Sequence, residues 1–295
     1  MSEFIQLALT GLAMGGIYAL LALGVALIYK SSSVFNFAQG DFAVVGAYLV
    51  VTLFLTLQMP FLVAIVLSLA IMAGIGILVN RGAVVPLFGQ PVLATIMMTL
   101  GLSIFLKGIV TIVWRNVTVG FGALLPISHL TIGDIVVSFE HGLAFVIALL
   151  VFGVFTFIFQ RTKTGLALRA VAEDQPLAAA MGINWRQQMA IVWSIAATTA
   201  TLGGVLLAMI VGAMPEIGEI VLLSAFPALL LGGVNSIAGA LVGGLMIGLL
   251  QSMVAGYIDP LVGGGMKLSF PFIFMLVFLL LRPYGIFGER TIERI

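Results

Sequence analysis

Long apolar runs alternate with short polar stretches along the whole chain. About 20 apolar residues in a helix cross the hydrocarbon core of a bilayer, so each run predicts a membrane-spanning helix. The predicted helices cover residues 4–29, 42–58, 60–80, 91–114, 142–160, 189–212, 221–235, 238–258 and 270–282. The segment 221–235 is short for a full crossing and could be a half-helix that dips into the membrane. The pattern therefore predicts an all-α integral membrane protein, a polytopic bundle of about 8–9 transmembrane helices.

A polar island interrupts the pattern between the first two apolar runs. It extends from Lys30 to Asp41 and includes Asn36 and Gln39. Polar groups are costly in the bilayer core unless they face protein or a water-filled path. Asn36, Gln39 and Asp41 therefore either mark a membrane surface, where the helix dipole favours an acid near a helix start, or line a translocation pathway.

A second polar stretch has a similar setting. Gly212–Gly233 carries Pro215, Glu216 and Glu219 before an apolar helix, much as Lys30–Val51 carries its own polar residues. An odd number of predicted helices separates the two matched elements, so the copies would lie in opposite orientations. Paired interruptions of this kind indicate an inverted-repeat transporter with its pathway at the repeat interface. We therefore predict an inverted internal repeat, with Glu216 and Glu219 either in a water-exposed outer loop or beside the pathway.

Composition supports the membrane location and excludes several functions. Hydrophobic residues make up 62% of the chain, charged residues 8%, and the mean hydropathy is +1.28. The net charge of +1 gives no basic surface for nucleic acid, and the absence of Cys excludes disulfides and thiol catalysis. No ligand cluster or nucleophile–base arrangement is evident, so we expect no metal, no cofactor and no catalytic residues. The first apolar run is too long for a secretory signal, which leaves a single transmembrane domain over 1–295.

Lys and Arg in the short loops indicate the cytoplasmic side. The segment 161–188 and the C-terminal tail are rich in these residues, so both are predicted to be cytoplasmic and the N-terminus to lie outside. Lys107 lies within a predicted span, where its stem would either reach the outer interface or serve a pathway.

The loop 161–188 predicts two short helices joined by an acidic turn. Thr164 is a candidate N-cap of the first helix, Pro176 suits the first turn of the second, and Gly182 suits the position just past its end. Both helices are rich in alanine. Two interpretations stay open: a surface that docks into another protein, and an interfacial linker that lies on lipid.

Four ordered motifs occupy residues 15–48, 164–184, 232–248 and 282–288. They include Asn36-Phe37-Ala38-Gln39-Gly40-Asp41, Thr164-Gly165, Gly182-Ile183-Asn184, Gly232-Gly233 and Arg282-Pro283. Together they resemble the branched-chain amino acid ABC transporter permeases of the LivH type, over essentially the whole chain. That family usually has His-Gly-Glu where this chain has Gln39-Gly40-Asp41, and a small residue where it has Lys30.

The resemblance implies the transmembrane permease subunit of an ATP-driven importer for branched-chain amino acids in the bacterial inner membrane. It implies four kinds of partner: a second related permease subunit, two cytoplasmic ATP-binding subunits, a periplasmic or lipid-anchored substrate-binding protein, and the surrounding lipid bilayer. The chain has no phosphate-binding loop, so ATP hydrolysis would belong to the partners. The candidate translocation residues are Asn36, Gln39, Asp41, Glu216 and Glu219. The candidate residues of the ATPase-coupling loop are Gly165, Arg169, Glu173, Asp174 and Gly182.

Two other transport functions stay open at this stage. One is an ABC permease for urea or short amides. The other is a self-sufficient secondary amino-acid transporter, which would need ionisable groups near the midplane, and Asp41, Lys107, Glu216 and Glu219 are the candidates.

Overall fold

Apolar helices dominate the computed structural model, which describes residues 2–121, 129–132 and 135–288. Each predicted apolar run forms a helix, and seven helices of the described part are long and apolar enough to cross a membrane. The helices are α1 (Ser2–Ser32), α2 (Gln39–Val51), α3 (Phe61–Val79), α4 (Val92–Trp114), α5 (Phe139–Arg161), α6 (Lys163–Glu173), α7 (Gln175–Ala180), α8 (Trp185–Val211), α9 (Ile217–Gly232), α10 (Ile237–Tyr257), α11 (Asp259–Val262) and α12 (Met266–Leu281). A π-helical turn at Thr52–Thr56 extends α2, while a π-helical turn at Asn80–Val84 and a 3-10 turn at Val85–Leu87 extend α3. The short segment predicted at 221–235 is the short helix α9.

The segment between α4 and α5 holds a small β-hairpin that the sequence pattern does not predict. Strand β1 (His129–Ile132) pairs with β2 (Ile135–Ser138) in antiparallel register, with Leu130 opposite Val137. The β-branched residues here favour strands, but each strand is too short to stand out beside two strongly apolar helices. The bundle is all-helical as predicted, and this one hairpin adds a short β element that contacts α1 and α5.

Helix α1 is the centre of the bundle. It is buried from Ile17 to Ile28 and packs against α10, α8, α5 and α9. Glycines permit its closest contact, because a Cβ on Gly15 would lie 2.7 Å from the Cα of Leu245. Such an approach is typical of small-residue helix contacts in membranes, and it joins α1 to α10.

Helices α2 and α9 begin inside the bundle rather than at its ends. After α1 the chain turns back, and the side-chain amide of Gln39 lies beside Gly24 of α1. Thr199 of α8 lies at the same level, because a Cβ on Gly24 would be 2.9 Å from Thr199 Oγ1. Thr199 is near the middle of α8, so α2 begins about half-way along that helix. The start of α9 lies beside the start of α2, because Gly218 contacts Gly40. Two helix N-termini therefore meet in the interior.

The connections between the helices lie at two opposite ends of the bundle. At one end Lys30, Arg169 and Asn235 border a single cavity. At the other end Val119 and Ala213 form an antiparallel bridge. The first end carries the cations of the predicted cytoplasmic side. The C-terminal tail beyond residue 288, which is predicted to be cytoplasmic, lies outside the described residues.

The loop between α5 and α8 contains the two predicted short helices, α6 and α7. One cap differs from the prediction: Thr162 caps α6, since its Oγ1 accepts a hydrogen bond from the N–H of Gly165 at 3.1 Å. Thr164 already lies in the first turn of α6 and cannot cap it. Asp174 caps α7 by accepting from a backbone N–H at 2.8 Å. Gly182 has a φ of +83°, the left-handed conformation expected just past a helix end.

Candidate functional site

Asn36 and Gln39 hold the chain in place where it turns back into the bundle. Both are fully buried. Asn36 Nδ2 donates to Gln39 Oε1 at 3.2 Å, and Asn36 Oδ1 accepts from the backbone N–H of Ala38 at 3.1 Å. Gln39 Nε2 donates to the carbonyl of Ala196 in α8 at 3.1 Å. These amides therefore satisfy one another and the backbone, and they position the first turn of α2.

Glycines bring the starts of α2 and α9 together. A Cβ on Gly40 would contact the carbonyl oxygen of Gly218 and would lie 3.0 Å from its Cα. Each of these glycines is followed by an acid in the first helical turn, Asp41 in α2 and Glu219 in α9. The positive ends of the two helix dipoles favour negative charge at these positions.

The two acids line one cavity with Glu216 and Lys107. Its volume is about 270 Å³, and the other lining residues are Val44, Val110, Thr111, Asn116 and Pro215. The cavity thus combines three carboxylates and one ammonium with apolar valine walls. Its volume is just below the range of about 300–1,000 Å³ typical of ligand pockets, which suits a small solute.

Asp41 is the most enclosed charge of the cavity. Its side chain is 3% exposed, and its Oδ2 has no hydrogen-bond partner among the described residues. Lys107 and Glu219 are the charged side chains that interact electrostatically with its carboxylate. A buried carboxylate without a full set of partners is costly, and Asp41 Oδ2 can still accept a hydrogen bond from a further donor or from a cation.

Lys107 belongs to this cavity rather than to the outer interface alone. It lies on α4, about 10 Å of helix before the end of that helix at Trp114. The sequence singles out Lys107 as a lone cation in an apolar run, but the acids around it come from α2 and α9 and are distant in sequence. Within the described residues no group of three His, Cys, Asp or Glu side chains could hold a metal ion.

The candidate residues of the coupling loop divide into two groups. Glu173, Asp174 and Gly182 are exposed. Gly165 is buried against the last turn of α5, and Arg169 donates to the carbonyl of Phe159 while its guanidinium lies 5.5 Å from the centre of the Phe159 ring. The latter two residues therefore fasten α6 to α5.

In addition to Leu166 on α6, which is 61% exposed, two large apolar side chains at the second short helix face outward. Leu177 is 61% exposed and Met181 is 78% exposed. Both belong to the second short helix or its end, next to the exposed acids. The loop thus presents an apolar and acidic surface at the predicted cytoplasmic end. Leu177 and Met181 were not among the candidate residues of the coupling loop, although both lie in the alanine-rich segment that predicts the second short helix.

Two helices that begin inside a bundle of membrane-spanning helices and meet at a charged cavity define a polytopic membrane protein with the architecture of a transport component. A family model described as "Branched-chain amino acid transport system / permease component" matches residues 7–281. The chain belongs to this family, and as a permease component it is not itself an enzyme.

Full-length relatives agree with this assignment. The chain is 31% identical over 306 residues to the high-affinity branched-chain amino acid transport system permease protein BraD of Pseudomonas aeruginosa, covering 99% of this chain and 98% of the relative. It is 32% identical over 292 residues to the probable branched-chain amino acid transport permease protein LivH of Methanocaldococcus jannaschii, covering 91% and 88%. It is 28% identical over 305 residues to the high-affinity permease protein LivH of Escherichia coli K12, covering 99% and 98%.

Among solved structures, the similarity is low. A chain of PsaBC from Streptococcus pneumoniae in complex with Fab covers 95% of this chain and 91% of its own, with a TM-score of 0.49 and 17% sequence identity.

Proposed function

We propose that the chain is the transmembrane subunit of an ATP-driven importer of branched-chain amino acids in the bacterial inner membrane. Membership of the permease family supports the transport role, and the names of the relatives support the solute. In this proposal residues 1–295 form one permease domain. The partners are a second related permease, two cytoplasmic ATP-binding subunits, and a periplasmic or lipid-anchored binding protein.

The observation that carries the proposal is the cavity at the joint start of α2 and α9. Its three carboxylates are suited to the α-ammonium of an amino acid, while the Lys107 ammonium is suited to the α-carboxylate. Val44 and Val110 offer apolar contacts to a branched side chain. Urea and short amides carry no charge, so this set of charges favours a zwitterion over them.

The cavity opens on the surface of the chain. Lys107, Glu216 and Glu219 are exposed, whereas Asp41 behind them is buried. Charges at the level of the spans are costly against lipid. A second permease that covers this face would complete a pathway between the two subunits, which is why we assign the translocation role to Asp41, Glu216 and Glu219, with Lys107 added. Asn36 and Gln39 act through the position of α2.

An inverted internal repeat explains why two helices start at this point. Helix α1 packs on α10 as α8 packs on α3, and α2 packs on α8 as α9 packs on α1. Gly40-Asp41 opens α2 and Gly218-Glu219 opens α9. These correspondences support a relation of α1–α3 to α8–α10 in opposite orientations, with the pathway at the interface of the two copies.

The second short helix of the cytoplasmic loop is the proposed contact with an ATP-binding subunit. Leu177 and Met181 give it apolar anchors, and Glu173 and Asp174 give it a charged rim, an arrangement typical of a protein contact. Gly165 and Arg169 then hold α6 against α5, so that a movement at the contact with the ATP-binding subunit is transmitted to the transmembrane helices.

Leu177→Glu should lower both ATP-dependent uptake and the assembly of the ATP-binding subunit with the complex. Loss of a central apolar anchor weakens a protein contact by about 2 kcal/mol, and the added charge repels the neighbouring acids. In proteoliposomes that contain the assembled complex, we expect ATP-dependent leucine uptake by the wild type and little uptake by the variant, with less ATP-binding subunit in the purified complex.

Gln187→Glu is the control for this prediction, because it adds the same charge to an exposed position at the start of α8 and should leave uptake unchanged. Leucine uptake by the chain alone without ATP would contradict the importer proposal, and full assembly of the Leu177→Glu complex would contradict the contact.

A further inference from the structure

Two adjoining concavities lie between α5 and α10, outside the charged cavity and the coupling surface. The first, at the predicted cytoplasmic end, has a volume of about 440 Å³, and the second, along α5, about 400 Å³. They share the lining residues Phe152, Thr156, Gln160 and Leu241, so they form one continuous groove. We call it the α5–α10 groove.

The α5–α10 groove changes from apolar to cationic along its length. Its upper part is lined by Leu149, Phe152 and Phe157, and its lower part by Lys30 and Arg169. The stretch of α5 from Leu149 to Arg161 is about 18 Å of helix, close to the roughly 15 Å that half of a bilayer's hydrocarbon core occupies. The groove therefore matches one leaflet in length, and its cations lie at headgroup level.

Three cations and no carboxylate are found among the described residues that line the groove, the cations being Lys30, Arg161 and Arg169. Arg169 gives one donor to the Phe159 carbonyl, and the rest of its five donors remain available. Ser236 accepts from the N–H of Gly239 at 2.9 Å, which leaves its hydroxyl hydrogen free to donate. These groups would surround an anion from several sides.

We propose that the α5–α10 groove binds an anionic phospholipid of the cytoplasmic leaflet, with its phosphate between Lys30 and Arg169 and one acyl chain along α5. Basic pockets between transmembrane helices on the cytoplasmic side are suited to such headgroups. Free phosphate would use the cations but would leave the apolar part unfilled. The central helix α1 contacts both α5 and α10, whereas the charged cavity, where we place the second permease, is lined from α2, α4 and the start of α9.

The bound lipid would join three parts of the chain. Lys30 is at the end of α1, Arg169 is on α6, and Ser236 caps α10. The phosphate would therefore brace the joint between the cytoplasmic loop and the transmembrane helices. This role is independent of the solute carried, so lipid binding and transport can succeed or fail separately.

Native mass spectrometry of the complete complex, taken from nanodiscs with equal amounts of phosphatidylglycerol and phosphatidylcholine, tests the proposal. We expect the wild type to retain phosphatidylglycerol in preference to phosphatidylcholine. Lys30→Gln should lower that retention about five-fold, because one cation near the membrane surface contributes about that factor. Lys163→Gln is the matched control, since Lys163 is an exposed cation at the start of α6, at the same end of the bundle, that does not line the groove.

Three results would overturn the proposal. The first is equal retention of both lipids by the wild type, or equal loss in the Lys30→Gln and Lys163→Gln complexes. The second is a bound species with the mass of inorganic phosphate in place of the mass of a phospholipid, which would indicate a free-phosphate site. The third comes from a photo-reactive residue at position 153, an exposed glycine of the groove. It should cross-link to lipid, and cross-linking to the second permease would show that a protein covers the groove.

Discussion

Replacing Gly40 with valine should abolish leucine uptake and destabilise the complex. The new side chain would meet the carbonyl and the Cα of Gly218, where the backbones of α2 and α9 already touch. Overpacking of this kind costs about 1–3 kcal/mol when neighbours can move, and a backbone neighbour gives less room than a side chain. The two helix starts would then separate, and the acids that follow them would lose their common cavity.

Gly101→Val is the matched control for this prediction. Gly101 lies on the exposed face of α4, and a Cβ there has no atom within 4 Å. The same glycine-to-valine change should therefore leave thermal unfolding and uptake near the wild-type values. Thermal unfolding of the purified complexes and uptake in proteoliposomes are the measurements. A Gly40→Val complex as stable and as active as Gly101→Val would contradict the contact between the two helix starts.

Neutralising Asp41 should lower leucine uptake about ten- to a hundred-fold, the value of one charge-assisted hydrogen bond expressed as a ratio. Asp41→Asn keeps the size of the side chain, so the packing around Val44 is retained while the charge behind Glu219 and Lys107 is lost. The ammonium of the solute then has no enclosed carboxylate to approach. The loss should appear at saturating binding protein, because the delivery step does not involve Asp41.

Glu140→Gln serves as the control for charge. Glu140 is an acid in the first turn of α5 and does not line the cavity. Its neutralisation should leave uptake within a factor of about two, as is usual for surface substitutions away from a site. If Asp41→Asn transports leucine as well as Glu140→Gln does, the carboxylate of Asp41 has no part in the passage of the solute.

The sequence predicts much of this architecture because each span leaves a long apolar run. The short helix α9 is recognisable for the same reason. The left-handed glycine at position 182 is also predictable, because a glycine just past a helix end depends only on nearby residues. The cap at Thr162 differs from the prediction because two threonines two residues apart both suit an N-cap, and only the backbone shows which one is extended.

The site is harder to predict, because a polar residue in an apolar run has two possible uses. Asn36 and Gln39 satisfy backbone and side-chain partners, while Asp41 faces the cavity. Both uses produce the same local sequence. The turn of the chain into the bundle and the approach of Lys107 to the acids of α2 and α9 depend on contacts between residues far apart, which no local pattern records.

Thiol labelling at position 219 most directly tests the central claim that the cavity is this subunit's part of the translocation pathway. The chain has no Cys, so Glu219→Cys can be labelled without background from this subunit. The account predicts that a membrane-impermeant reagent labels position 219 from outside in the resting complex, that leucine slows the labelling, and that the ATP-bound state changes its rate. A cysteine at position 39, which is buried against α8, should stay unlabelled in both states. Labelling of position 219 at one rate in all conditions would contradict the claim.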